Sequence, residues 1–186
     1  DVTDEESMVA AVDAVVDRHG AVGSLVNNAG YSQSGAIEDL PMESIRRQFE
    51  TNVFGLIRMS QLVLPGMREQ RAGRIVNIGS MGGKLSFPGG GIYHATKYAV
   101  EAISDVLRFE VSNFGVKVVL VEPGLIKTNF ADAALSHMDT PSQTDGAYDD
   151  FNAAVAKNTA AVYENPLYAR LGGGPDDVAK VIEKAI

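Results

Sequence analysis

Three side chains in the stretch SMGGKLSFPGGGIYHATK, residues 80–97, have types and spacing suited to proton transfer. Tyr93 and Lys97 lie four apart on a segment that reads as helix, so they share a face. A free phenol titrates near pH 10, too high for a good base at neutrality. A neighbouring ammonium favours the phenolate and lowers that value. The pair could then exchange a proton with an alcohol or carbonyl oxygen. Ser80, at the end of a predicted strand, could hydrogen-bond the same oxygen and orient it. Such a set moves a proton but has no electron source, so a hydride has to come from a bound cofactor. A tyrosine four residues before a lysine is common on ordinary helices, and the pair alone decides nothing.

The elements around these residues add weight. Residues 4–18 carry Met8, Val9, Val12, Val15 and Val16 at helical spacing, with Gly20 as the stop. Thr3 and Glu6 have capping-box spacing, and Asp4 and Glu5 fall in the first turn. GSLVNNAG (23–30), GRIVNIGS (73–80) and KVVLVEPG (117–124) read as short apolar strands running into polar turns. Between them, residues 41–69 read as one long helix and 91–114 as another, closed near Gly115. Strands that are apolar rather than alternating, separated by helices, predict a parallel sheet covered on both faces. Ligands of such sheets bind at the carboxyl ends of the strands. Here those ends are Asn27–Gly30, Gly79–Ser80 and Glu122–Gly124. The expected fold class is α/β: a partial Rossmann fold, doubly wound, in one domain over 1–186. A last helix begins near Pro175.

Composition removes several alternatives. The chain has no cysteine, which excludes disulfides and thiolate chemistry. Its 16 basic against 24 acidic residues give a formal charge of −8, so nucleic acid is not an expected partner. No segment has the roughly 20 apolar residues of a membrane span, and the expected location is cytoplasmic. His19, His94 and His137 do not form a spaced ligand set, so no metal is expected. His94 adjoins Tyr93, but neighbours on a helix point about 100° apart.

NNAG (27–30), Asn52 in the long helix, Ser80, YHATK (93–97), and PG (123–124) followed by IKT (126–128) stand in order and at fitting spacing. In these motifs the chain resembles the short-chain dehydrogenase/reductase family in its classical form, over essentially its whole length. Within that family it looks most like the hydroxysteroid- and retinol-type oxidoreductases. The resemblance implies an NAD(P)-dependent interconversion of an alcohol and a ketone or aldehyde, on a largely apolar substrate. Tyr93 would be the general acid/base. Lys97 would lower its pKa and hold the nicotinamide ribose, Ser80 would position the substrate oxygen, and Asn52 would hold a relay water. Asn27, Ala29 and Gly30 would line the adenosine side of the cofactor, with Asp1 and Val2 at the adenine. Pro123, Gly124, Ile126 and Thr128 would flank the nicotinamide and phosphates. Phe87, Phe130, Leu135, Met138 and Phe151 are candidate substrate walls, with 127–165 as a substrate lid. Pairing of the two long helices with their copies would give a homodimer or homotetramer.

One departure stands out. The family's glycine-rich phosphate loop, TGxxxGxG, is absent, as are the strand that separates NAD from NADP and the last strand. The choice between NAD and NADP is therefore unreadable, and the chain is expected to be part of a longer protein. The alternative reading is a non-catalytic binding or structural fragment of the same fold, unable to hold dinucleotide by itself.

Overall fold

The computed structural model describes residues 1–126, 128, 130, 134, 138, 142–164 and 172–186. Helix α1 (Glu5–His19) starts at Asp4, whose carboxylate accepts from the Glu6 and Ser7 amides. Asp4 thus takes the capping role expected of Thr3, whose amide and hydroxyl both donate to Asp1 instead. Gly20 closes the helix by donating its N–H to the Val16 carbonyl at 2.7 Å.

Strand β1 (Ser24–Asn27) follows, and then helix α2 (Met42–Phe49), a π-helical turn (Glu50–Phe54) and helix α3 (Gly55–Gln70). The single helix expected over 41–69 is therefore interrupted. The break falls at Asn52, and a π-turn inside a helix is a common mark of a functional site. Strand β2 (Gly73–Ile78), helix α4 (Gly91–Glu110) and strand β3 (Val116–Val121) complete the sheet. Helices α5 (Asp149–Glu164) and α6 (Pro175–Ala185) end the described chain.

Among the described residues the sheet has three parallel strands in the order β1-β2-β3, open at both edges. Leu25 pairs with Ile75 and Ile75 with Val118, so these three share one face. Val12 of α1 and Val63 and Met67 of α3 pack into the same cluster. Met67 and Ile75 are fully buried; at roughly 1.5–3 kcal/mol per large apolar side chain, they help anchor the core. The opposite face carries Val26 and Ile78. Helix α6 stands near it, with Val178 and Ile182 toward the strands. This is the incomplete, doubly wound α/β sheet expected from the sequence.

A polar rung crosses the covered face. Asn27 donates to Asn77 Oδ1 at 2.9 Å and to Ser60 Oγ at 3.3 Å, and Asn77 donates to Ser104 Oγ at 2.9 Å. The serines donate in turn to carbonyls of their own helices. Asn77 and Ser104 are fully buried, so each bond replaces a hydration that burial removed. No helix among the described residues is long and apolar enough to cross a membrane.

Candidate active site

A groove of about 620 Å³ opens where the three strands end. Its floor is laid by the ladder beyond β2 and β3. Gly79 donates to the Val121 carbonyl at 2.8 Å and Met81 to that of Pro123 at 2.9 Å. These bonds carry Ser80 alongside Pro123. The Ser80 hydroxyl oxygen accepts from the Gly82 amide at 3.0 Å and caps a short 3-10 turn, Met81–Gly83. With that lone pair engaged, its own proton can be donated into the groove.

Helix α4 supplies the facing side. Tyr93 and Lys97 both line the groove. The Lys97 ammonium lies 5.9 Å from the Tyr93 ring centroid and donates to the Ile78 carbonyl at 2.8 Å. Lys97 is 7% exposed. Burial pulls its pKa down from 10.5 to about 8, because a low-dielectric surrounding disfavours the charged form. Lys97 is the sole charged side chain among the groove's described lining residues.

The π-turn places Asn52 behind this pair. Its Oδ1 accepts from the Tyr31 amide at 3.1 Å, and its Nδ2 donates to the Tyr31 carbonyl at 2.9 Å and to Thr96 Oγ1 at 3.0 Å. Thr96 donates to the Tyr93 carbonyl at 2.7 Å. Asn52 therefore ties the loop after β1 to the turn of α4 that carries the tyrosine. A Cβ on Gly30 would stand 3.2 Å from Asn52 Oδ1 and 3.8 Å from Lys97 Nζ. Glycine leaves that approach open.

The other candidates divide. Pro123, Ile126, Thr128 and Phe130 line the groove, and the Phe130 ring lies 5.7 Å from that of Tyr93. Gly124 accepts the Ile126 amide. Asn27 turns its side chain to the covered face, into the polar rung, and Asn28 and Val26 line the groove instead. Ala29 is exposed and outside the lining. Asp1 and Val2 also lie outside it. Asp1 bonds to Thr3, and Val2 packs so closely on Gly55 that a Cβ there would meet its carbonyl at 2.6 Å.

Phe87 and Phe151 line a second cleft with Ile37, Pro88, Glu38 and Tyr148. Met138 is half-buried, and Leu135 lies outside the described residues. No group of three or more potential metal ligands occurs among the described residues.

Several supports are absent from the motifs. Asp39, nearly buried, accepts from Ser142 Oγ, the Gln143 amide, Thr144 Oγ1 and Asn152 Nδ2 at 2.7–3.0 Å. The Thr144 and Ser142 hydroxyls hold its carboxyl below the ordinary range. Beside it, Tyr148 donates to Glu38 at 2.5 Å, which raises the phenol's pKa. Glu101, one turn beyond Lys97, forms an ion pair with Lys84 at 2.5 Å beneath the Ser80 loop. These partners are distant in sequence or follow no motif, so only the folded chain joins them.

A family model described as short chain dehydrogenase matches residues 1–139. An uncharacterized oxidoreductase of Bacillus subtilis (strain 168), YusZ, is 39% identical over 182 residues, covering 98% of this chain and 62% of that protein. Retinol dehydrogenase 16 of Rattus norvegicus is 47% identical over 132 residues, covering 69% of this chain and 41% of that protein. A solved structure described as ElxO with NADP bound superposes with a TM-score of 0.75 at 28% identity, covering 100% of this chain and 68% of that one. The chain thus spans about two fifths to two thirds of the proteins it resembles.

Proposed function

Since the chain belongs to the short-chain dehydrogenase family, we propose that the whole protein is an NAD(P)-dependent oxidoreductase interconverting an alcohol and a ketone or aldehyde. In this reading Tyr93 is the general acid/base, Lys97 its electrostatic partner and Ser80 the donor that orients the substrate oxygen. Asn52 holds the tyrosine's helix turn against the loop after β1.

The observation that carries the reading is the buried Lys97 ammonium, fixed by the Ile78 carbonyl beside the Tyr93 ring in a groove with no other charged side chain in its described lining. A cation there stabilises a phenolate far better than it would in water. For reduction, the Tyr93 hydroxyl gives its proton to the developing alkoxide while Ser80 holds that oxygen. For oxidation, the phenolate takes the alcohol proton.

A nicotinamide dinucleotide would supply or accept the hydride. The groove residues fit its nicotinamide end. Val26, Ile78, Pro123 and Ile126 offer apolar contact to flat rings, Asn28 and Thr128 offer polar edges, and Gly30 leaves the approach to Lys97 clear. NADP bound in the related ElxO structure supports this cofactor class. The choice between NAD and NADP is not assigned.

The substrate is read as largely apolar, as in the retinol-type branch. Phe130 beside Tyr93 and the second cleft of Ile37, Phe87 and Phe151 support that class. Residues 127–165, of which 127, 129, 131–133, 135–137, 139–141 and 165 lie outside the described residues, are read as a substrate lid, and the protein is read as a homo-oligomer.

Tyr93→Phe tests the assignment. Turnover should fall by roughly 10²–10⁴-fold while cofactor affinity stays unchanged, the size expected for loss of a general acid/base. A phenylalanine variant with parental kcat would overturn it.

A further inference from the structure

His94 sits between Tyr93 and Lys97 in sequence, and its imidazole is 6% exposed. Its Nε2 lies 3.0 Å from the Phe87 amide nitrogen, and its Nδ1 lies 2.9 Å from the Gly82 carbonyl oxygen. A backbone N–H can only donate and a carbonyl can only accept. Nε2 must therefore be bare and Nδ1 must carry the proton, so the two bonds fix both tautomer and charge.

The surroundings are shaped to this ring. A Cβ on Gly82 would come within 2.8 Å of Nδ1, and one on Gly90 within 2.6 Å of Nε2. Phe87 and Tyr93 close the remaining sides, with ring centroids 5.5 and 5.8 Å away. Gly82 is also the residue whose amide donates to the Ser80 hydroxyl. A continuous path therefore runs from Ser80 Oγ through Gly82 to His94 and on to Phe87.

We propose that His94 is a positioning residue: as the neutral Nδ1–H tautomer it staples the loop over residues 80–90 to the first turn of α4, and so sets the gap between the Ser80 and Tyr93 hydroxyls. This rests on the roles given to Ser80 and Tyr93 above. The adjacency that sends the two side chains in different directions is what suits the device. Tyr93 reaches the groove while His94 grips the loop that forms its opposite wall. Without the staple, Ser80 keeps its local bond to Gly82, but the turn carrying both is held to α4 by one contact fewer.

Two measurements test it. Nitrogen-15 NMR of the imidazoles in this chain, assigned by loss of the signal in His94→Phe, should show His94 neutral at pH 7 with its proton on Nδ1. A proton on Nε2, or on both nitrogens, overturns the proposal without reference to activity. In a form of the protein that turns over substrate, His94→Phe should lower kcat roughly 10- to 100-fold, the scale of a small misplacement of reacting groups. The KM for cofactor should stay within about two-fold, as expected when ground-state binding is untouched. His94→Asn, which retains an N–H directed at Gly82, should recover part of the loss. Parental kcat in His94→Phe sinks the staple. A parent that turns over no alcohol or carbonyl sinks the enzymatic reading instead, and the NMR result still decides the tautomer. If His94→Phe fails to fold, the parental spectrum, assigned through His94→Asn, carries the test alone.

Discussion

The proposed chemistry rests on a lysine held against its own solvation preference. Lys97 titrates near 8 in the folded chain against 10.5 ordinarily. Below about pH 8 both folded and unfolded chains carry the charge, and the folded one bears the full burial penalty. Between 8 and 10.5 the unfolded chain keeps a proton that the folded one has shed, so the penalty fades as pH rises. Lys97→Met should therefore stabilise the chain at pH 7, on the order of 2 kcal/mol after loss of the bond to Ile78. That gain should shrink toward pH 10, while turnover disappears. Denaturant midpoints at pH 7 and 10 check this; a Met variant no more stable than its parent at pH 7 refutes it. In the active protein, kcat/KM should show an alkaline limb near pH 8, since that ratio reports ionisations of the free enzyme. Spacing puts Tyr93 and Lys97 on one face because helix geometry fixes where i and i+4 point, and Ser80 comes to the same groove as the end of a strand. The carbonyl that receives the ammonium was not. Ile78 lies on a strand, and nothing local ties it to Lys97.

Elements set the distances that residues use. The π-turn between α2 and α3 puts the Asn52 amide where it bridges Tyr31 and Thr96. Asn52→Ala should destabilise the chain by about 1–3 kcal/mol, the cost of stripping buried polar groups of a partner. Asn52→Asp keeps the acceptor for the Tyr31 amide but turns both donors into acceptors, so it should fare no better. Urea midpoints of the two variants check this, and an alanine variant within experimental error of the parent removes the bridge from the account. The order of strands and helices was readable because apolar runs and glycine stops are local signals. The break in the long helix was only partly so. TNVFG (51–55) puts two polar residues into an otherwise apolar run, but a π-turn differs from an α-turn by one residue per cycle, and hydrophobic spacing cannot resolve that over five positions.

Across the whole molecule, one carboxylate closes a long loop in the chain. Asp39 gathers donors from residues 142–152, more than a hundred positions away. No periodicity or motif encodes that meeting; it follows from the fold. Its carboxyl is held below the ordinary range, so the contribution is present above the unfolded value and lost as pH falls through the folded one. Asp39→Ala should expose residues 142–152 to limited proteolysis at neutral pH and leave the core helices resistant. The parent should show the same pattern only in acid, below about pH 4. Equal cleavage of parent and variant at pH 7 would falsify the anchoring role.

The asparagine rung has a consequence of another kind. Sliding β1 against β2 by one residue would turn Asn27 out of the rung and away from Asn77 and Ser60. Sliding by two residues preserves the faces, and oil cannot tell the difference. The amides can: after such a slip, Asn27 and Asn77 no longer meet, and buried hydrogen-bonding groups are stranded. The rung thus serves as a vernier mark on an otherwise repetitive scale. Erasing it with Asn27→Leu, Asn77→Leu, Ser60→Ala and Ser104→Ala together should leave a chain that still collapses but settles into more than one alignment, visible as doubled amide resonances.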